Sequence, residues 1–321
     1  MIDAHIHYSG DTPETLRLLE QYDLKLLNIC VAAGEWHPQI GLYRELTKRH
    51  ADRYAWCTSF DLPDYTVSDR EYASMVIAGL RRDFADGAIA VKAWKNIGME
   101  LTDRDDRFVL IDDEVFDPVY EFLVREGMPI LMHIGEPLEC WQPLREGSVH
   151  YGYYSKNPEW HMYNKPEYPT HAELIAARDR VMEKHPKLRL IGAHLGSLEY
   201  DVAEVAKRFE SYPNFAVDVS ARLGDLMVQD PQKVREFMVA YSDRVLFGTD
   251  IVCRKCHSEM TPDELDAMLA KTRATYDAYT RYFGTEEDVS FAGQTSKGLG
   301  LPADVLEKFS VTNAQTWYPG L

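Results

Sequence analysis

The sequence has little of what defines several other classes of protein. Only 5 of its 321 residues are cysteine, a sparse and odd set that argues against a disulfide framework and suits reduced thiols. No apolar run approaches the roughly 18 residues that a transmembrane helix needs. The first residues, MIDAHIHYSGD, contain no basic stretch and no apolar segment, so we expect no signal peptide and a cytoplasmic protein.

Positive charge is also scarce. Lys and Arg total 35 against 52 Asp and Glu, which gives a formal net charge of −17. A surface with this excess of negative charge repels phosphate backbones, so nucleic acid is a poor candidate for a partner. The composition, 45% hydrophobic and 27% charged, is ordinary for a globular chain that is long enough to bury a large core.

Short apolar runs alternate with longer amphipathic segments along the whole chain. Eight runs have the composition of buried parallel strands: 2–7, 24–32, 54–60, 88–94, 129–134, 188–194, 215–219 and 245–250. Capping patterns open the intervening helices at Thr12 and Thr170, and at Thr261 before a long last helix. Eight such units predict a (β/α)8 TIM barrel, with an open doubly wound sheet as the alternative.

One stretch interrupts this rhythm. The residues between His133 and Thr170 show little periodicity but are rich in tyrosine and tryptophan. A loop this long is usually functional or disordered, and the aromatic content argues against disorder. We therefore expect one domain over residues 1–321, with a loop insertion after strand 5, at about 136–169, that caps the C-terminal face of the barrel. A packed surface loop without substrate contact is the alternative.

Ionisable side chains fall at the ends of the predicted strands. In a barrel of this type these ends converge on one open face, where catalytic groups are found. His5 and His7 are two apart on a strand, so both side chains point to the same side. Imidazole and carboxylate are good ligands for a cation such as Zn2+. The predicted metal ligands are His5, His7, His133 and Asp250.

The blocks around these residues resemble the amidohydrolase superfamily. Asp3-Ala4-His5-Ile6-His7 looks like its HxH signature, and MHIG, AHLG and FGTD, which contain His133, His194 and Asp250, match its fifth, sixth and eighth strands. The blocks are most similar to the branch that includes aminocarboxymuconate semialdehyde decarboxylase, and the resemblance covers almost the whole chain. It implies a metal-dependent barrel that acts on small molecules by hydrolysis or by non-oxidative decarboxylation.

The resemblance also implies roles for single residues. The four predicted ligands look like those of a divalent metal site, with Zn2+ expected first and one ion or two left open. Asp250 would also accept a proton from water, and His194 would orient water or substrate, or bind a second metal in a binuclear site. Lys92 on the fourth strand has three interpretations: a carboxylated bridge between two metals, a partner for a substrate carboxylate, and a structural ion pair.

Three further residues are candidates for substrate binding. Arg222 follows the seventh strand and would clamp a carboxylate if it faces the barrel mouth, whereas a solvent-facing arginine at a helix start is the alternative. Trp94 and His161 are the other two, with barrel packing as the alternative for Trp94, and Lys95 is a weaker candidate of the same kind as Arg222. Cys253 and Cys256 form a CxxC pattern, for which we expect an ordinary loop, because a zinc site needs a further pair of ligands.

These observations lead to a main hypothesis and two alternatives. The main one is a metal-dependent hydrolase that activates water to attack the carbonyl of a small-molecule ester, lactone or amide. The second is a decarboxylase, a lyase acting on an aromatic or unsaturated carboxylic acid, which nearby Arg and Lys would favour. The third, a non-catalytic binding protein, is disfavoured because no expected ligand is lost. In every case we expect a small-molecule partner, no nucleic acid and no membrane, and a homo-oligomer stays open.

Overall fold

The computed structural model describes residues 1–253, 255 and 257–321. Its centre is a parallel sheet in which each strand pairs with the next along the chain. The eight principal strands are β1 Ile2–Tyr8, β2 Lys25–Ile29, β3 Tyr54–Ser59, β4 Ala88–Ala93, β5 Ile130–Met132, β6 Leu190–Gly192, β7 Phe215–Asp218 and β8 Val245–Leu246. A short continuation, β9 Val252–Cys253, pairs with the free side of β1.

The eighth strand segment closes the sheet into a barrel. β8 pairs with β7, and β9, which follows in the same segment, pairs with β1. Between them the Ala4 amide donates to Phe247 O at 3.0 Å, and the Asp250 amide donates to His5 O at 2.8 Å. The segment thus contacts both edges of the sheet, which confirms the (β/α)8 barrel and excludes the open doubly wound sheet.

A long helix follows each principal strand. These helices are α1 Pro13–Gln21, α2 Pro38–Arg49, α3 Asp69–Ala85, α4 Asp117–Glu126, α5 His171–Lys184, α6 Val202–Ser211, α7 Pro231–Ala240 and α8 Pro262–Gly284. The predicted caps are confirmed, because the side chains of Thr12, Thr170 and Thr261 each accept from a backbone amide in the first turn. The last two form complete capping boxes.

Shorter elements occupy the loops and the C-terminal region. The short α-helices are Tyr151–Tyr154, Leu223–Met227, Ala303–Glu307 and Asn313–Trp317, and the turns Asn96–Met99 and Ala193–Gly196 contain residues with non-helical backbone. The single-turn 3-10 helices are Glu114–Phe116, Leu138–Trp141, Pro158–Trp160 and His257–Glu259, and Lys308–Thr312 is a π-helix. A hairpin of β10 Asp288–Phe291 and β11 Gln294–Lys297 follows α8. The prediction that α8 is the last helix is therefore wrong, because one-turn helices are too short to show a period.

Alternating side chains build the barrel interior from the bottom upward. Small or branched apolar residues such as Ala90, Leu131 and Ala216 form one buried cluster, which also contains Trp317 and Tyr318 near the C-terminus. Two positions further along the same strands, the inward residue becomes ionisable. These residues are Lys92 on β4, His133 just after β5 and Asp218 on β7.

The insertion after β5 packs against the barrel. Its three one-turn helices span Leu138 to Trp160, and Cys140, Tyr154 and Met162 are buried in the main core cluster. Within the described part of the chain, no helix combines the length and the apolar character needed to cross a membrane.

Candidate metal centre

His5 and His7 point into the barrel mouth from β1. The register of β1 against β2 shifts between Asp3 and Ile6, which is a bulge at the level of His5. The Nδ1 atom of His5 lies 2.8 Å from Asp218 Oδ2, and that of His7 lies 2.8 Å from Ile29 O. Because each Nδ1 donates its proton there, each Nε2 carries the lone pair that binds a cation.

The carboxylate of Asp250 meets these two imidazoles. Its Oδ1 lies 3.3 Å from His7 Nε2 and 3.9 Å from His5 Nε2. Ligand atoms of the three residues lie within 4.8 Å of one another, a spacing that suits one cation. The prediction that Asp250 ends β8 is wrong: β8 ends at Leu246, and Asp250 lies in a loop with φ 58°.

His194 also lies beyond its strand, because β6 ends at Gly192 and His194 has φ 59°. Its Nδ1 lies 2.8 Å from Ser220 O and donates to it, so Nε2 carries the lone pair of the ring. The His194 ring centroid is 4.8 Å from that of His5 and 4.4 Å from that of His133. His194 therefore lies beside both predicted ligands.

His133 has a buried Nε2 atom without a hydrogen-bond partner. An unpartnered buried nitrogen costs free energy that a bound cation would offset. Burial, together with the charges of His194 and Lys92, holds the pKa of His133 well below its usual value, so the ring is in the neutral form that binds metal. The structure places His133 against His194, outside the group formed by His5, His7 and Asp250.

Asp218 organises the site, although it was not among the residues predicted from the sequence. Its Oδ1 accepts from the backbone amides of His194 at 2.9 Å and Ser220 at 3.1 Å, and its Oδ2 faces His5. Burial alone would raise the pKa of Asp218, but the charge and hydrogen bond of His5, the charge of His194 and the hydroxyl of Ser220 outweigh burial and hold the pKa well below its usual range. His5, His194 and Asp218 are also close enough to suit a cation. Since its oxygens already accept these bonds, Asp218 suits the orientation of His5 better than ligation.

The strand pattern contained a sign of this residue. Asp218 lies two positions after the inward-facing Ala216 on β7, so alternation alone points it into the barrel.

Lys92 is buried on β4, and its Nζ lies 3.4 Å from His5 Nε2. Burial lowers the pKa of Lys92 to about 8. Among the residues the structure describes, no carboxylate oxygen lies within 4.0 Å of Nζ, so the structural ion pair finds no support. The carboxylated bridge and the partner of a substrate carboxylate both stay as predictions.

Arg222 is buried just before the helix Leu223–Met227, so the solvent-facing alternative is wrong. Its Nη1 donates to Ala221 O at 2.9 Å, and its Nε lies 4.0 Å from Asp225 Oδ2. After burial, its positive charge is the largest cause of the lowered pKa of His194. Arg222 therefore adds a cation to the surroundings of the imidazoles.

The insertion uses the other two substrate-binding candidates in its own packing. Nε2 of His161 lies 3.0 Å from Gln142 O, within the insertion. Trp94 contacts Trp160, with ring centroids 5.6 Å apart. Of the CxxC cysteines, Cys253 is buried and Cys256 lies outside the described residues.

Lys95 and Glu136 form a buried ion pair that the sequence analysis missed. Lys95 Nζ also lies 3.8 Å from the Trp160 ring centroid, and Glu136 Oε2 accepts from Tyr154 OH at 3.1 Å. The pair fastens the insertion to the loop after β4. Its only sign in the sequence was that each residue follows a predicted strand.

A (β/α)8 barrel whose mouth gathers imidazoles around a carboxylate defines a class of metal-dependent barrel enzymes. The sequence profile of the amidohydrolases (Amidohydro_2) matches residues 2–320, so the chain belongs to this amidohydrolase family and is an enzyme. A search of curated protein sequences finds no significant match.

Solved structures with the same fold include two decarboxylases and a hydratase. The 2,6-dihydroxybenzoate decarboxylase from Rhizobium is 15% identical, with a TM-score of 0.55 and coverage of 99% of this chain and 98% of that chain. A dihydroxybenzoic acid decarboxylase from Polaromonas sp. JS666 with bound manganese is 13% identical (TM-score 0.53; coverage 96% and 86%). The 4-oxalomesaconate hydratase from Rhodopseudomonas palustris is 11% identical (TM-score 0.55; coverage 100% and 96%). At these identities the likeness concerns the fold.

Proposed function

We propose that the protein is a metal-dependent non-oxidative decarboxylase, a lyase that acts on an aromatic or unsaturated carboxylic acid. The observation that carries the proposal is the presence of two buried cations, Lys92 and Arg222, beside the metal centre. Among the described residues, Lys92 Nζ has no carboxylate oxygen within 4.0 Å, so this buried cation favours an anionic ligand. A neutral ester, lactone or amide would leave Lys92 without a close carboxylate, whereas Arg222 already has Asp225 Oδ2 at 4.0 Å from its Nε.

The similar structures support the same preference. Two of the three described above are named for decarboxylation of dihydroxybenzoates, and the third is named for hydration of a carboxylic acid. The decarboxylase hypothesis therefore replaces hydrolysis as our first choice.

His5, His7 and Asp250 would hold the cation, and His133 would be the fourth ligand. The unpartnered Nε2 of His133 and the anchored Nδ1 atoms of His5 and His7 fit this role. A divalent cation supplies Lewis acidity to a carboxylate and an adjacent oxygen of the substrate. Three nitrogens and one oxygen favour Zn2+, and the manganese bound to the Polaromonas relative makes Mn2+ the alternative.

The protein's own side chains would divide the remaining tasks. Lys92 and Arg222 would bind the substrate carboxylate, and Nε2 of His194, whose Nδ1 donates to Ser220 O, would accept a hydrogen bond from a substrate hydroxyl. Burial would raise the pKa of Asp250, but the close contact with His7 and the nearby imidazoles of His194 and His5 hold it well below its usual range, so Asp250 is ionised. An ionised Asp250 would accept a proton from a substrate hydroxyl. It would return this proton to the ring carbon as the bond to the carboxylate carbon breaks and carbon dioxide leaves.

Release of carbon dioxide from a panel of hydroxybenzoates tests this proposal. We expect Zn2+-loaded or Mn2+-loaded protein to release carbon dioxide from at least one acid and to leave neutral esters and lactones intact. Arg222→Gln should reduce this release strongly, whereas Arg70→Gln, at an exposed position of α3, should not. Hydrolysis of an ester or lactone, without carbon dioxide from any acid, would restore the hydrolase hypothesis.

A further inference from the structure

A cavity of about 490 Å³ lies on the barrel face that carries the metal centre, at the ends of β2, β3 and β4. We call it the indole pocket, because it is lined by Trp36 after β2, Trp94 after β4 and Trp160 of the insertion. The rings of Trp94 and Trp160 meet at 67° with centroids 5.6 Å apart. Indole walls of this kind favour a flat aromatic ligand.

The polar groups of the indole pocket accept hydrogen bonds. Asn96 is buried, and its Nδ2 donates to Ala32 O at 2.7 Å. This bond fixes the orientation of the amide and leaves Oδ1 buried without a partner. Asp61 and Glu100 add two carboxylates to the lining. None of the described residues that line the pocket is basic.

Lys95, which lies between the pocket residues Trp94 and Asn96 in the sequence, already has an ionic partner. It is buried in its ion pair with Glu136 and lies against the face of Trp160. A ligand group that enters the indole pocket therefore meets an unpaired acceptor and negative charge. A hydroxyl or amino group would give Asn96 Oδ1 its missing donor, whereas a carboxylate would be repelled.

We propose that the indole pocket is an outer subsite for the far end of an aromatic carboxylic acid, where a ring substituent that donates a hydrogen bond is preferred over a second carboxylate. This inference rests on the proposed function, because it takes one carboxylate to bind at the metal centre. It narrows the substrate class to hydroxy- or amino-substituted aromatic monocarboxylic acids.

Binding of matched benzoates to the Zn2+-loaded protein tests the subsite without turnover. The probes are 4-aminobenzoate, 4-hydroxybenzoate and terephthalate, which differ in the group opposite the carboxylate. Tryptophan fluorescence and titration calorimetry follow binding. We expect the amino and hydroxy compounds to bind about tenfold more tightly than terephthalate, the effect of roughly one hydrogen bond to a buried acceptor.

Two variants and a control assign the preference to this pocket. Asn96→Leu should weaken 4-hydroxybenzoate about tenfold and leave unsubstituted benzoate unchanged. Glu100→Lys, at an exposed position, should instead strengthen terephthalate. Glu121→Lys, which makes the same charge change on the exposed face of α4, should alter neither ligand. Glu100→Lys keeps the test decisive if Asn96→Leu fails to fold.

The outcomes separate the subsite from the proposed reaction. Equal affinities for the three benzoates, or no binding of any of them, would overturn the subsite. A donor preference without carbon dioxide release from any acid would keep the subsite and remove the decarboxylase. Carbon dioxide release without a preference for a hydrogen-bond donor would keep the decarboxylase and remove the subsite.

Discussion

The Nδ1 atom of His5 lies 2.8 Å from Oδ2 of Asp218, a residue 213 positions further along the chain. The same carboxylate accepts from the backbone amide of His194. One buried side chain of β7 thus sets the ring orientation of a predicted ligand on β1 and the position of a loop after β6. Such partners of metal-binding histidines affect metal affinity strongly.

Asp218→Asn should lower metal affinity about 10- to 100-fold, because the amide breaks the charged contact that orients His5. Competition with a chromophoric chelator measures this affinity. Asp243→Asn, at an exposed position, is the matched control and should bind metal normally. Unchanged affinity in the Asp218 variant would show that His5 does not need this partner.

His5→Ala should remove most of the bound metal and the activity, because it deletes a nitrogen within 3.9 Å of Asp250 Oδ1. Metal content by mass spectrometry after gel filtration gives the result. His37→Ala removes an exposed imidazole beside Asp61 and should leave metal content unchanged. Normal metal content in the His5 variant would eliminate the proposed centre.

Lys92→Met should keep one metal ion per chain and weaken the binding of benzoates, because it removes a buried cation beside His5. The carboxylated bridge leads to the opposite expectation of two equivalents in the wild type and a loss in the variant. Metal stoichiometry therefore decides between the two interpretations of Lys92.

Gly248→Ala should disturb the site through its backbone. A Cβ at this position would lie 3.1 Å from His5 Cβ and 3.3 Å from Ser220 Cβ, closer than ordinary contacts. We expect a loss of about 1–3 kcal/mol in the free energy of unfolding and weaker metal binding. Gly41→Ala in α2, where nothing lies within 4 Å of the new Cβ, is the control and should keep both its stability and its metal affinity. Chemical denaturation and chelator competition measure the two effects.

Glu199→Gln should change how stability depends on pH. Burial, reinforced by the charge of Asp225, raises the pKa of Glu199 from 4.5 to about 7. The folded protein keeps this proton where the unfolded chain has lost it, so wild-type stability falls as pH rises from 4.5 through about 7. Glutamine does not titrate and keeps the bond from the Leu138 amide.

The difference in melting temperature between the Glu199 variant and the wild type should therefore increase in favour of the variant from pH 5 to pH 8, by an amount on the order of a few °C. Glu20→Gln, at an exposed position of α1, should follow the wild type at every pH. Parallel melting curves for the Glu199 variant and the wild type would contradict the raised pKa.

The sequence allowed the fold and part of the candidate site to be predicted because both follow local rules. Alternation on a strand was enough to place His5 and His7 on one face. The positions of His194 and Asp250 at the mouth were also expected, but their left-handed backbone was not. That conformation depends on contacts between loops, such as the bond from the Asp250 amide to His5 O, which no local pattern encodes.

Long-range pairs were the hardest to anticipate. Lys95 and Glu136 belong to different loops and meet only after the insertion folds over the barrel. The partner of Asn96 Nδ2 is the carbonyl of Ala32, 64 residues earlier in the chain. Periodicity describes which face of an element is buried, but it does not specify which loops come together above it.

The packing of Trp317 and Tyr318 under the barrel has a consequence for biosynthesis. Trp317 Nε1 donates to Asp243 O at 3.0 Å, and both aromatic residues cover the innermost apolar side chains of the strands. The ribosome synthesises these two residues after every predicted ligand of the metal centre. The bottom of the barrel is therefore completed after the residues of the metal centre have been synthesised, and its apolar lining stays uncovered until then. Ordered metal ligands are therefore expected only after these two residues have packed under the strands.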